Sequence, residues 1–579
     1  MKTVLKYFRT YWFFILLVIV FLLGQALCDL SLPTLMSDII NNGIIKGDED
    51  YILKTGGIML LISFTSMILA AAASFFAVRS SAYACSTLRQ DLFSRVTYFS
   101  SQDIEEFGSH SLITRSTNDV QTVQQSSIMI MRFAFFAPIM GIGALVKAYQ
   151  TKPSLTWIIL VSLGFVLLLM AAIFFLVMPK FKVLQQKLDH LNLVIAERLT
   201  GLLIVRSFNK QGYEQQRFDK SNAALMKINV FVNRGMALMF PSLMLIMNLT
   251  SVVILWIGAQ KIDMSDMMIG EMLAFLQYTM QIIMSFLLIT MSFIMIPRAA
   301  VSANRIGDVL KKEPSIIDNE QLEDLAKGKG QVTFNNVSFA YPDAEEKTLS
   351  NISFVAEPGK TTAIIGGTGS GKSTLINLLP RFFDATEGEI LIDGQDIRSI
   401  SQKELRNQIG YVPQKGFLFS GTIESNLAYG LDNPSLEKQR EALDIAMATE
   451  FVDQLKDGLD TEVAQGGTTV SGGQKQRLAI ARAIIKDAKI LIFDDSFSAL
   501  DYKTDKILRG NLKSKLQDKT IIIVAQRINT ILDADQILVV NEGEILGIGT
   551  HKELFETNKV YREIALSQLS ETELGKEVM

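Results

Sequence analysis

Six stretches of this chain stay apolar for about 20 residues or more, the length a helix needs to cross a bilayer. They lie near 11–37, 56–78, 128–149, 154–178, 240–260 and 270–297, and Asp29 and Asp38 interrupt the first of them. From about Gln331 the pattern changes, and short apolar runs alternate with helical patterns, the punctuation of an α/β domain. Between the two regimes, residues 311–330 read KKEPSIIDNEQLEDLAKGKG, charged, poor in apolar residues and closed by glycine, as a linker is. The expected layout is an all-α membrane domain of six helices over 1–312, a linker over 313–330 and an α/β domain over 331–579.

The start of the chain superficially resembles a secretory signal, because Lys2, Lys6 and Arg9 precede the apolar run from Tyr11 to Cys28. The small-residue cleavage pattern is missing, since Leu27 directly precedes Cys28, and further apolar segments follow. The run is therefore read as the first span. Charge orients the set. The N-terminus is positive, and 179–239 carries ten Lys or Arg against four Asp or Glu, whereas 38–55 and 261–271 are net acidic. The positive-inside rule then places both termini and the two long connections in the cytoplasm. Segment 79–127 is close to neutral and does not vote. No proline occurs between Pro33 and Pro138, or between Pro179 and Pro241, so helices can run out of the membrane without an obligatory break. Some 25 residues each way would project roughly 35 Å. Turns near Phe107–Ser111 and Asn209–Gly212 are placed to present helices to another domain.

Composition narrows the class. A length of 579 residues exceeds one ordinary core, and 49% hydrophobic residues with a mean hydropathy of +0.27 exceed soluble norms. A net charge of -3 offers no basic face, so no nucleic-acid partner is expected. The two cysteines, Cys28 and Cys85, make no disulfide framework and read as packed small hydrophobes.

The strongest chemical signal is GGTGSGKST: Gly366, Gly367, Thr368, Gly369, Ser370, Gly371, Lys372, Ser373 and Thr374. It matches the phosphate-loop pattern G-x-x-x-x-G-K-[ST], preceded by the strand-like TTAII and followed by the helix-like TLINLL. Glycines let the backbone wrap phosphates and aim its N–H groups at them from a helix start. Lys372 is placed to reach the β- and γ-phosphates of ATP, and Ser373 to ligate Mg²⁺. The run ILIFDD ends a second buried strand on Asp494, the carboxylate expected at the Mg²⁺ site.

VSGGQKQR, Val470 to Arg477, is similar to the signature sequence of ATP-binding-cassette proteins, and the whole chain resembles the exporter branch with fused membrane and nucleotide domains. Tyr341, 25 residues before the loop, resembles the aromatic that stacks on adenine. Gln414 in YVPQ resembles the glutamine that touches Mg²⁺ and senses the membrane domain, and Ser498 to Asp501 resembles the loop that crosses the dimer interface. The resemblance implies a bacterial multi-pass membrane protein working as a dimer. Each ATP would lie between one subunit's phosphate loop and the Ser471, Gly472, Gly473 and Gln474 of the other.

Two positions depart from that pattern. Where ATP-hydrolysing members carry Glu after the strand-ending Asp, this chain has Asp495. Its carboxylate is retracted by roughly 1.5 Å, and a misplacement near 1 Å costs on the order of a hundredfold in rate. Where the resemblance expects His over the γ-phosphate, this chain has Gln526, which hydrogen-bonds but does not titrate. His551 is the sole histidine of the domain and reads as structural. Both changes beside an intact binding loop point to a site built to bind and not to turn over. They imply a heterodimer in which this chain's signature completes a partner's catalytic site. The rivals are a homodimeric lipid or peptide exporter, which predicts Glu and His at 495 and 526, and a nucleotide-gated regulator, which predicts a damaged signature.

On the transport side, thirteen methionines lie between Met226 and Met295, among them Met244, Met280 and Met284. Such side chains suit a cavity for varied amphipathic, drug-like molecules, and equally suit helix packing or lipid contact. Asp29 is costly in apolar surroundings and either attracts a cationic substrate or pairs with a polar group on a neighbouring helix. Arg132 lies near the end of its span, where a long cation snorkels.

Overall fold

The computed structural model describes residues 2–319, 322–323, 328–342 and 344–569. Parts of the expected linker (320–321 and 324–327) and of the expected α/β domain (343 and 570–579) therefore lie outside the described residues. The chain forms two compact units, one of residues 1–97 and 108–313, the other of residues 98–107 and 314–579.

The first unit contains six helices long and apolar enough to cross a membrane: Trp12–Ile44, Glu49–Thr97, Ser109–Thr151, Pro153–Thr200, Gln211–Asp263 and Ile269–Lys311. Each expected apolar stretch falls on one of them. The second and fifth run for 49 and 53 residues, about 70–80 Å at 1.5 Å per residue. The fifth continues straight through Pro241, so the proline-free stretches were sufficient but not necessary for continuity. Small residues set the closest approaches. A Cβ added to Gly143 would stand 2.3 Å from Leu30 Cδ1, and one added to Gly235 would stand 2.7 Å from Val177 Cγ2. Helix association in lipid relies on such contact, because burial of apolar surface there offers no driving force. Cys85 is buried, Cys28 half-buried, and both are free thiols. Arg132 is exposed, with its guanidinium 5.6 Å from the centre of the Phe133 ring.

The expected tips are more structured than simple turns. Near Asn209, a six-residue helix, Leu202–Ser207, ends in left-handed backbone at Asn209 (φ 53°) before the fifth span begins at Gln211. At the other, Gly108 (φ 76°) breaks the chain after a separate helix, Ser101–Phe107. That helix belongs to the second unit. Asp103 on it is fully buried and accepts from Ser100 N and Oγ, both at 3.0 Å, from Ser315 N at 2.9 Å and from the Ser315 hydroxyl. Burial works to raise its carboxyl, but these donors hold it below the ordinary value.

The second unit is built on a six-stranded sheet of order Glu544–Gly549, Gln536–Asn541, Thr361–Gly366, Thr520–Val524, Ile490–Asp494 and Ile409–Val412. All neighbours but the first pair are parallel. A parallel strand covered on both faces reads as an unbroken apolar run, which is why TTAII and ILIF show no alternation. Leu491, Phe493 and Ile365 enter the core on one face, and Ile490, Ile492 and Ile364 the core on the other. A four-stranded antiparallel sheet, with Val332–Phe339 between Leu349–Ala356 and Glu387–Ile392, adjoins this framework. The register pairs Val524 with Asp494, Val412 with Phe493 and Val540 with Gly366. The carboxyl ends of five parallel strands thus come level at one edge, where ligands of open α/β sheets bind.

Candidate functional site

Gly366 ends its strand, and the chain turns back through Gly369 (φ 83°) and Gly371 (φ 95°) into the helix Lys372–Leu378. Those two angles are the left-handed backbone that glycine adopts without strain. Gly366 is required for another reason, since a Cβ there would stand 2.0 Å from Val540 O. A Cβ on Gly367 or Gly369 would meet nothing within 4 Å, so the loop's outer side is an open cradle. Lys372 bridges it, its Nζ donating to Gly366 O (2.9 Å), Gly367 O (2.6 Å) and Ser370 Oγ (3.3 Å). Burial pushes this ammonium below its ordinary value, while Asp495 and Asp494 oppose the shift.

Ser373 Oγ donates to Asp494 Oδ1 at 3.0 Å. A hydroxyl and a carboxylate side by side are the hard oxygen donors that magnesium takes, with water and phosphate filling the remaining positions. The residues present fit that ion. Burial raises the Asp494 carboxyl; the Ser373 hydrogen bond opposes this and neighbouring Asp495 adds to it.

Asp495 takes a conformation that the sequence did not reveal. Its backbone is left-handed (φ 46°) and its N–H donates to Val524 O at 2.9 Å. Its Oδ2 then accepts from two side-chain amides, Gln414 Nε2 at 3.2 Å and Gln526 Nε2 at 3.0 Å. Gln414 and Gln526 stand just past strands that flank the Asp494 strand on either side, so the sheet register converges them on Asp495. The structure therefore brings together the phosphate loop, Asp494, Asp495, Gln414 and Gln526. Gln414 turns its amide to Asp495, not to the Ser373–Asp494 pair.

Tyr341 lies among aromatics, edge-on to Phe339 and Phe383, with its hydroxyl 3.0 Å from Thr374 Oγ1. Ser471 caps the helix Gly472–Ile484 reciprocally: its Oγ accepts from Gln474 N at 3.3 Å, and its N–H donates to Gln474 Oε1 at 2.9 Å. Ser471 and Gly472 are exposed, leaving this helix start open to a ligand or partner. In the following loop, Ser498 Oγ donates to Asp495 O at 2.8 Å, and Asp501 caps the helix Tyr502–Lys515 through Thr504 N at 3.0 Å. His551 is buried, its Nδ1 2.8 Å from the Tyr561 hydroxyl and away from the strand ends.

Two positioning residues escaped the sequence reading. Gln476 is 2% exposed; its Oε1 accepts from Gly416 N at 2.8 Å and its Nε2 donates to Pro413 O at 3.2 Å, fixing the segment that carries Gln414. The available signal was spacing, for Gln476 shares a buried helical face with Ala479, Ile480 and Ala483. Gln568 donates to Gln526 O at 2.8 Å and accepts from Ile528 N at 2.9 Å, so the last helix holds the Gln526 loop. No local pattern announces that contact.

Comparison with known proteins agrees with both halves. Residues 15–286 match the ABC transporter transmembrane region and residues 349–498 match ABC transporter. An uncharacterised ABC transporter ATP-binding protein of Mycobacterium tuberculosis is 38% identical over 98% of each chain. A multidrug resistance ABC transporter ATP-binding and permease protein of Lactococcus lactis is 30% identical over 97% of this chain and 94% of its own. A bacterial Atm1-family ABC exporter with ATP bound superposes with a TM-score of 0.80 at 25% identity, covering 96% of this chain and 98% of that one. The chain belongs to the ABC transporters: it is a multi-pass membrane half-transporter of the exporter type, whose ATP-binding, ATP-hydrolysing unit works in a dimer.

Proposed function

We propose that this chain is the catalytically weak subunit of a heterodimeric exporter of amphipathic, drug-like molecules, seated in the bacterial cell membrane with both termini cytoplasmic. The observation that carries this reading is the double amide clamp on Asp495. A side chain that positions and polarises an attacking water needs a free carboxylate oxygen facing it. Here Oδ2 is engaged by Gln414 and Gln526, which leaves the retracted side chain only Oδ1 for a water and fixes its direction, and neither amide can take up a proton. The other residues assigned to binding remain serviceable: the Gly366–Thr374 loop and Lys372 for phosphates, Ser373 and Asp494 for the metal, Tyr341 for the base. Magnesium, when bound, would neutralise phosphate charge. Ser471, Gly472, Gly473 and Gln474 would close a second, competent ATP site on the homologous partner.

The purified full chain alone should bind ATP yet hydrolyse it below about 1 per second, the low end of enzyme turnover. Asp495→Glu combined with Gln526→His should raise that rate by roughly tenfold or more, restoring reach and a titratable group. Phosphate release by the two purified proteins decides this. Ordinary turnover by the unmodified chain, or no gain in the double variant, would remove the asymmetric reading.

The multidrug name of the Lactococcus relative supports the substrate class. So does the exposure of Met244, Met280 and Met284, at 50%, 40% and 46%. Alanine at these positions should reorder transport rates among several hydrophobic dyes by about threefold while basal ATPase holds. Equal loss for every dye, with reduced protein yield, would make them packing residues instead.

A further inference from the structure

The first, second and sixth spans meet at one ionisable residue. Asp29 lies midway along Trp12–Ile44 and is half-buried. Ser66 of the second span donates its Oγ to Asp29 Oδ1 at 2.6 Å. Gln281 of the sixth span donates its Nε2 to the main-chain oxygen of Asp29 at 3.3 Å. Two acceptors are left over. Among the described residues no Lys, Arg or His pairs with Asp29 and nothing donates to its Oδ2, while the buried Gln281 Oε1 likewise has no hydrogen-bond partner. Lys147 and Glu271 lie near the ends of their helices, but Asp29 is too short to reach an interface from mid-span. An acidic side chain in a membrane span with one neutral donor lacks the charged partner that such groups usually have. Spare acceptors on two adjacent side chains, with no resident cation, are the complement of a positively charged group bearing N–H donors. Met280 and Met284, in the same span as Gln281, offer exposed polarisable surface for an attached ring system.

We propose that Asp29, assisted by Gln281, is the specificity-determining subsite that receives the positive end of a monocationic aromatic amphipath. This rests on the export reading and names a substrate class within it. The test uses the full-length chain in lipid nanodiscs, with ethidium as the cationic probe and Nile red as the neutral one. Asp29→Asn should weaken ethidium binding by about tenfold, the scale expected for loss of a desolvated charge partner, with Nile red unchanged. Asp29→Glu should recover most of the ethidium affinity. If Asp29→Asn does not yield folded protein, Gln281→Leu keeps the carboxylate and should still weaken ethidium by about threefold with Nile red unchanged. Unaltered ethidium affinity in Asp29→Asn, equal loss of both dyes, or no ethidium binding by the unmodified chain overturns the subsite. ATP-dependent uptake of Nile red into inverted vesicles carrying the chain assembled with its catalytic partner is the separate check on export: its presence without an Asp29 effect removes this proposal alone, and its absence beside a charge-selective Asp29 effect removes the drug-export reading alone.

Discussion

ATPase activity of the assembled transporter falls about a thousandfold when Ser471→Ala is combined with Gly472→Glu, although both residues belong to the subunit whose own site is proposed to be weak. The figure corresponds to roughly 4 kcal/mol of lost transition-state stabilisation. Ser471 and Gly472 open the helix Gly472–Ile484 toward solvent, where main-chain N–H groups and the helix dipole favour a γ-phosphate. A carboxylate placed there repels the phosphate it replaces room for, and alanine removes a hydroxyl donor. The fold should tolerate the change. A Cβ on Gly472 meets nothing within 4 Å, the lost cap costs about 1 kcal/mol, and Gln476, Leu478 and Ile480 still anchor the helix in the core. Asp495→Ala, in contrast, should cost much less than tenfold, because its carboxylate is already held by two amides. Steady-state ATPase of three complexes settles the matter: unmodified, signature double variant and Asp495→Ala. Equal damage from the last two would make this chain's own site the catalytic one.

What was legible in the sequence follows from how local each signal is. The spans announce themselves because lipid demands long apolar helices, and the phosphate loop because its glycines and lysine are contiguous. The helix Ser101–Phe107 was not legible, being seven mostly polar residues with no periodic face. Nor does any local pattern announce that Asp103 is fully buried, because its donors at Ser315 lie far along the chain. Asp29 was left open between a substrate cation and a polar neighbour; the structure supplies the neighbour, Ser66, and no donor among the described residues bonds the other oxygen. The departures at Asp495 and Gln526 were visible as letters, but their meeting was not. It depends on strand register, which sets Val412 beside Phe493 and Val524 beside Asp494 and so delivers both glutamines to one carboxylate. Gln568 completes the arrangement from the last helix, fixing the main chain of Gln526 while that residue's amide holds Asp495.

Lys372→Ala should lower the affinity of the full chain for ATP by roughly a hundredfold, about the upper range for a hydrogen bond to a charged group. In this structure the ammonium is satisfied by Gly366 O, Gly367 O and Ser370 Oγ, and burial pushes it below its ordinary value. A triphosphate offers it far stronger partners, so the side chain gains most when nucleotide is present. Truncation has a second consequence, because Asp494 and Asp495 lose the nearest cation that offsets their repulsion of phosphate. Loss of loop structure is the competing explanation, and two comparisons exclude it. Lys372→Met keeps the apolar stem and the packing of the helix start, and should weaken ATP nearly as much as alanine does. Asp495→Ala removes a negative charge from the same edge and should leave affinity unchanged or improved. Equilibrium titration with a fluorescent ATP analogue, with thermal unfolding of each protein as the check on folding, gives all three values. Undiminished affinity in both lysine variants would show that the cradle of main-chain N–H groups binds phosphate without the cation, and would remove Lys372 from the site.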